Sequence, residues 1–244
     1  MPEGPSIILM KESLQLFVGK QVTGASGNAK FEKEPFIGQT LLEIRTFGKQ
    51  TYLVFDQAAI RIHLLMFGSY SIDEQTKPDQ SLRLSLLFAK GGMYFYTCSV
   101  KAVETEHLST IDWEADIMSD QWNPKKAEKK LKKNAEMMVC DALLDQDIFS
   151  GVGNIIKNEV LFRIGVQPES LIGNLPNKKL KELITQARNY SFDFLKWKRE
   201  FTLKKHWLVH TKSVCPLCEQ KLIKKQTGKG KRRSFYCKKD QRLY

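Results

Sequence analysis

The chain predicts an α+β fold in two lobes: an N-terminal helix with an antiparallel β-sandwich, then a helical region closing in a cysteine-bearing β-hairpin. Three observations carry this. Short apolar runs separated by glycines fill residues 21–103, whereas a helical period takes over after Pro124. Three of the five cysteines crowd near the C-terminus, among basic and aromatic residues. At 244 residues, with 42% apolar and 10% aromatic side chains, the chain can build real cores and is not a disordered protein. The expected bodies are 1–120, the sandwich, 121–205, the helical region, and 206–244, the hairpin.

In chain order, Ser6 to Phe17 reads as a helix with Ile7, Ile8, Leu14, Leu16 and Phe17 on its apolar face and Gly19 as its stop. Thr51–Phe55, Ile60–Leu64, Leu82–Leu86 and Met93–Tyr96 read as strands, rich in β-branched and aromatic residues, with Gly38, Gly48, Gly68 and Gly91-Gly92 between them. Glu104 to Asn123 is acidic and turn-rich, as a linker would be. Beyond Pro124, a lysine run precedes an apolar helix core from Met137 to Leu144; such a run is a solvated face by default. Lys178 to Trp197 is a further helix, with Leu180, Leu183, Ile184, Ala187, Tyr190 and Phe194 as its core stripe. Cys98 and Cys140 read as buried thiols.

The net charge of +12 points to a polyanionic partner, with nucleic acid the default. Its distribution is sharper than its sum. From Lys205 to Tyr244, twelve Lys and Arg face only Glu219 and Asp240, so nearly all the excess lies there. No apolar run is long enough to span a bilayer, and the N-terminus lacks the pattern of a secretory signal; a cytoplasmic protein without membrane attachment is expected. An odd cysteine count fits reduced thiols and a metal site better than disulfides.

Three stretches can carry chemistry. The first is Met1-Pro2-Glu3-Gly4-Pro5. Trimming of the methionine would leave Pro2 with a free secondary amine, partly unprotonated near neutral pH because α-amino groups titrate at about 7.7–8.0. Such an amine can attack a sugar C1′ and form an iminium, with Glu3 placed to shuttle a proton. The bland alternative is a frayed terminus. The second stretch is Gly151-Val152-Gly153-Asn154, where two glycines permit close backbone approach, Asn154 is a natural N-cap, and a helix N-terminus offers N–H groups to phosphate. The third is Cys215-Pro216-Leu217-Cys218 with Cys237-Lys238-Lys239-Asp240. Two knuckles of this kind hold one Zn²⁺ tetrahedrally; here aspartate stands where a fourth cysteine is expected, giving a Cys₃Asp set that should bind less firmly than Cys₄. A metal-free finger packed on Phe235, Tyr236 and Leu222 is the alternative. Between the knuckles, Thr227 to Tyr236 reads as a hairpin with a glycine-rich cationic tip, where Arg232 or Arg233 can hold a phosphate.

Taken in order, these motifs resemble the formamidopyrimidine-DNA glycosylase/endonuclease VIII family of base-excision repair enzymes, over Pro2 to the C-terminus. Pro2-Glu3-Gly4-Pro5 is similar to its catalytic N-terminus, Phe47-Gly48-Lys49 to the hairpin of its catalytic lysine, Gly151–Asn154 to its helix–two-turn–helix, and Arg232–Cys237 to the arginine-bearing arm of its zinc finger. The resemblance implies Pro2 as nucleophile, Glu3 as acid/base and Lys49 as a phosphate contact supporting proton transfer. It implies Asn154 and Arg232 as phosphate clamps, with Arg233 a rival for the arginine. It also implies Met66, in His63–Gly68, as a wedge filling the hole left by a flipped nucleotide; a core methionine is the alternative reading. Gly4 and Ser6 depart from the Leu and Glu of the 8-oxoguanine branch, and Tyr96–Ser99 lacks its arginine-phenylalanine wedge. Both lean towards endonuclease VIII and oxidised pyrimidines. The implied partner is double-stranded DNA carrying oxidised bases or abasic sites, gripped by a monomer. Rival readings are a non-catalytic damaged-DNA-binding protein and a zinc-ribbon factor.

Overall fold

The computed structural model describes residues 2–244; the expected trimming of Met1 lies outside the described residues. The chain divides into two compact units, 1–111 and 112–244.

In the first unit, α1 (Gly4–Leu14) begins with Pro5 in its first turn, where a missing N–H costs nothing, and tightens into a 3₁₀ turn, Gln15–Phe17. That tightening decides which side chains go inside. Ile7, Met10, Leu14 and Phe17 are fully buried, whereas the expected Leu16 is half exposed and Ile8 only partly covered. Gly19 follows with φ +80°, the left-handed stop the sequence announces.

Eight strands follow: β1 (Val22–Ser26), β2 (Glu43–Phe47), β3 (Gln50–Val54), β4 (Ala58–His63), β5 (Ser69–Ile72), β6 (Leu82–Phe88), β7 (Gly92–Tyr96) and β8 (Ser99–Glu104). They form two antiparallel sheets in the orders β1-β6-β7-β5 and β2-β3-β4-β8. Period-two alternation turns Leu84, Leu86, Met93 and Phe95 of one sheet and Ile44, Leu53, Ile60 and Ile62 of the other into one core with α1. Each such side chain contributes roughly 1.5–3 kcal/mol on burial. This is the expected sandwich. Four of its strands, β1, β2, β5 and β8, are more polar or shorter on their apolar face, and the sequence reading passed over them.

The second unit starts inside the expected linker. Asp112 and Glu114 accept ion pairs from Lys126 at 2.6 and 2.9 Å, and Asp112 also pairs with Lys130 at 3.1 Å. Ile117 is fully buried. The acids are therefore tied to α2 (Pro124–Lys133), and the boundary falls at residue 111 instead of 120. α3 (Val139–Leu144), α4 (Asn154–Arg163) and α5 (Asn177–Arg199) build the core around Leu143, Ile156, Val160, Leu183 and Tyr190. The helical stripe expected on α5 is buried throughout.

β9 (Ile223–Thr227) and β10 (Arg232–Tyr236) form the C-terminal hairpin. It does not stand apart as a third body. Phe235, Leu222, Cys215 and Cys237 pack with Phe162 of α4, and Val166 bridges to Arg242. Among the described residues, no helix is long and apolar enough to cross a membrane.

Candidate functional site

Each unit carries its own candidate residues. At the start of the first, Pro2 is half-buried and Glu3 fully buried. The Glu3 carbonyl accepts from the N–H groups of Ser6 at 2.8 Å and Ile7 at 3.3 Å, so the terminus is the cap of a helix whose apolar face lies in the core. It is not a frayed end. Lys49 sits in the two-residue turn joining β2 to β3, where Gly48 has φ +55°, as hairpin geometry demands of the first turn position.

Close to Lys49 lies His63, opposite Gln50 on β4. Burial first, then the Lys49 and Arg61 charges, lowers its basicity. A neutral ring suits its contact: Nδ1 accepts from the Leu65 N–H at 3.0 Å. That bond, together with Gly68 N–H donating to the Leu64 carbonyl at 2.8 Å, folds 64–68 into a tight turn. A Cβ on Gly68 would lie 2.1 Å from the Leu64 oxygen, so only glycine fits. Leu65, Met66 and Phe67 are thereby held outward, 51%, 49% and 78% exposed. Met66 is thus not a core residue, and Phe67, which sequence reasoning missed, projects further.

In the second unit the expected N-cap moves by one residue. Gly153, extended at φ −124°, caps α4, and Asn154 is its first helical residue. The Asn154 side chain reaches the hairpin: Nδ2 donates to the Arg233 carbonyl at 3.0 Å, and Oδ1 has no hydrogen-bond partner among the described residues. Arg232 and Arg233 open β10, with Arg233 exposed and Arg232 half-buried.

Sequence reasoning missed what holds this arrangement. α4 is buried on all sides from Asn154 to Phe162, polar residues included. Lys157, fully buried, donates from Nζ to Ser234 Oγ at 2.8 Å and the Arg233 carbonyl at 3.3 Å. Asn158 donates to the same carbonyl at 3.4 Å and accepts from the Phe235 N–H at 3.2 Å. Glu159 takes the N–H groups of Leu208, Val209 and His210 at 2.9, 3.0 and 2.7 Å and pairs with Arg163. A signal existed: polar residues at 154, 157 and 158 share one helix face among apolar neighbours.

The cysteine cluster assembles as the spacing suggests. The ligand atoms of Cys215, Cys218, Cys237 and Asp240 lie within 4.8 Å of one another. Cys215 and Cys237 Sγ are 3.1 and 3.0 Å from Asp240 Oδ2, and Cys218 and Cys237 Sγ are 3.5 Å apart. A zinc tetrahedron with bonds of about 2.0–2.3 Å has edges of roughly 3.3–3.8 Å, so the set fits with small adjustments. Burial first, then the Asp240 carboxylate, pushes the Cys237 thiol up to about 12, while thiol hydrogen bonds hold Asp240 below the usual carboxylate range.

Comparison with known proteins bears on both units. The family model described as "Formamidopyrimidine-DNA glycosylase N-terminal domain" matches residues 1–102, and "Formamidopyrimidine-DNA glycosylase H2TH domain" matches 114–190. Endonuclease 8-like 3 of Mus musculus is 32% identical over 209 residues, 83% of this chain and 34% of that protein. The chain thus spans about a third of that relative's length. Endonuclease 8 2 of Mycobacterium bovis is 25% identical over 202 residues, 78% of this chain and 77% of that protein. A crystal structure of Lactococcus lactis Fpg with DNA containing N7-benzyl-Fapy-dG matches with a TM-score of 0.87 at 20% identity, covering 99% of this chain and 100% of that one. A viral DNA glycosylase matches with a TM-score of 0.85 at 19% identity, covering 98% and 100%. These two structural matches show the shared fold.

Proposed function

Because the chain belongs to the formamidopyrimidine-DNA glycosylase/endonuclease VIII family, we propose that it is a bifunctional DNA glycosylase/AP lyase of base-excision repair. The observation that carries the reading is the pairing of Pro2 with a fully buried Glu3 at the pinned start of α1. Once Met1 is removed, the unprotonated Pro2 nitrogen attacks C1′ of the damaged nucleotide, the base leaves with the electron pair of its glycosidic bond, and the proton shed by the nitrogen neutralises the departing base. Glu3 hands a proton to the sugar ring oxygen as the ring opens, giving an iminium with no N–H to lose. That cation acidifies the neighbouring C2′–H, whose loss expels the 3′ phosphate by β-elimination; the conjugated iminium then acidifies C4′–H, whose loss expels the 5′ phosphate by δ-elimination. Lys49, on its rigid turn, supports the proton transfers and contacts phosphate beside the lesion.

DNA is held by its phosphates, so affinity falls steeply with salt. Asn154 and Arg232 clamp the backbone around the flipped nucleotide, with Arg233, exposed beside Arg232, as its alternate, and Met66 enters the gap. The substrate is double-stranded DNA with oxidised bases or abasic sites, and the enzyme works as a monomer. Oxidised pyrimidines are favoured over 8-oxoguanine and formamidopyrimidines. Supporting this, β7 ends at Tyr96 and β8 starts at Ser99, leaving no loop for a second wedge between them.

Cys215, Cys218, Cys237 and Asp240 would hold Zn²⁺, which supplies a structural cross-link between the two knuckles and no chemistry at the sugar. Elemental analysis is expected to give about one zinc per chain; far less would remove the metal from the account.

The decisive test is borohydride reduction on a lesion-bearing duplex. The protein with Pro2 at its start is expected to be trapped covalently, and one with a residue added before Pro2 is not. Equal trapping by the blocked protein would overturn the assignment, while binding without any trapping would favour a damaged-DNA-binding protein.

A further inference from the structure

We propose that Lys157 is a positioning residue for the phosphate grip, acting through the backbone of Arg233. The proposal rests on the reading of Arg232 and Asn154 as phosphate contacts. Lys157 is fully buried on α4, so it cannot itself reach a phosphate. Its Nζ donates to Ser234 Oγ at 2.8 Å and to the Arg233 carbonyl at 3.3 Å. Asn154 Nδ2 donates to that carbonyl at 3.0 Å and Asn158 Nδ2 at 3.4 Å. One carbonyl oxygen therefore collects three donors from the first two turns of α4. It belongs to the residue directly after Arg232, and one of its donors is Asn154.

The consequence is a fixed spacing. The start of α4 and the start of β10 are joined at a single atom, so the two groups assigned to flanking phosphates move as one piece. A charge-assisted donor is the stronger member of such a set, and an ammonium buried at this point restrains the strand more firmly than either amide. Ser234 is tied in turn to Thr227 Oγ1 at 2.6 Å, across the hairpin. The restraint thus reaches β9 as well. An apolar side chain of lysine's length would still leave Ser234 its bond to Thr227 and the Arg233 carbonyl its two amides. Replacement should loosen the grip while both of these groups stay hydrogen-bonded.

The test is a double-mutant cycle on the full chain, read as Kd for a duplex with a stable abasic-site analogue at fixed salt. Lys157→Met and Arg232→Ala are each expected to weaken binding about tenfold, as loss of a charge-assisted contact does. The double variant is expected to bind within about twofold of Arg232→Ala alone, since Lys157 holds the strand that carries Arg232. Wild-type affinity in Lys157→Met, or multiplicative losses in the double variant, would overturn the proposal while leaving the Arg232 effect in place. Wild-type affinity in Arg232→Ala would pass the cycle to Arg233→Ala, and wild-type affinity in both would remove the phosphate reading of the arm, and this proposal with it. If Lys157→Met does not fold, judged by its melting transition, Ser234→Ala takes its place in the cycle with the same non-additivity expected.

Discussion

α1 and α4 are of similar length, and each carries a predicted functional residue at its start, yet they are held in place by different physics. α1 has one buried face, Ile7, Met10 and Leu14, set against the sandwich, and its other side meets solvent. α4 has no solvent side before Arg163, and it buries Asn154, Lys157, Asn158 and Glu159 along with its apolar residues. Apolar burial is non-directional, and it suffices for α1 because the proposed nucleophile is the chain's own end and needs only anchoring. α4 must fix the angle and register of a separate hairpin and of residues 208–210, and only hydrogen bonds with defined partners do that. Chemistry at an end asks for a fixed point; a grip assembled from distant segments asks for a frame.

The contrast can be broken at several points. The largest effect is expected at the terminus: Glu3→Gln should slow base excision by at least about a hundredfold, in the range of a lost general acid/base, while DNA affinity stays near wild type. A loss of affinity alone, with normal excision at saturating duplex, would make Glu3 part of the frame and erase the distinction. Next, Glu159→Gln should cost the second unit about 3 kcal/mol in urea unfolding, because Arg163 then loses its carboxylate partner and three N–H groups lose a charged acceptor. A cost as small as that of a surface pair would show that α4 is held by apolar packing, as α1 is.

The smallest effect is expected from pH. Burial, with the Lys157 charge and against Glu159, takes His210 down to about 4 from an ordinary value near 6.5. Between those values the unfolded chain binds a proton that the folded chain refuses. Its contribution to stability is therefore complete above about pH 6.5 and is lost as pH falls towards 4. His210→Gln should flatten that part of the stability profile; an unchanged slope would mean that His210 is not the group responsible.

Much of this was legible in the sequence for physical reasons. The sandwich core announced itself through β-branched alternation in β3, β4, β6 and β7, and α5 through its regular stripe. The Cys-x-x-Cys spacing and the Cys237–Asp240 knuckle brought four ligand atoms together as expected. What failed to show was whatever depends on partners remote in sequence. Asp112 and Glu114 looked like a solvated linker because their lysine partners lie on α2, and charge patterning within a segment does not reveal its pairing across segments. The role of α4's buried polar face was hidden for the same reason, since Lys157 and Ser234 stand 77 residues apart. The displaced cap is a local error of another kind: asparagine favours the N-cap, but Gly153 already supplies the extended conformation there, and Asn154 is drawn away to the hairpin carbonyl.

The side chain of Asn158 has a further consequence. A lone two-stranded ribbon leaves a rim of unpaired peptide groups along each outer side, an invitation for another chain to zip on. On β10 the carbonyl of Arg233 and the N–H of Phe235 are such a pair, and the carboxamide of Asn158 meets both, as a neighbouring strand's peptide would. The helix thus supplies one counterfeit residue of β-structure, and at that position the ribbon's margin has no peptide group left to offer another strand.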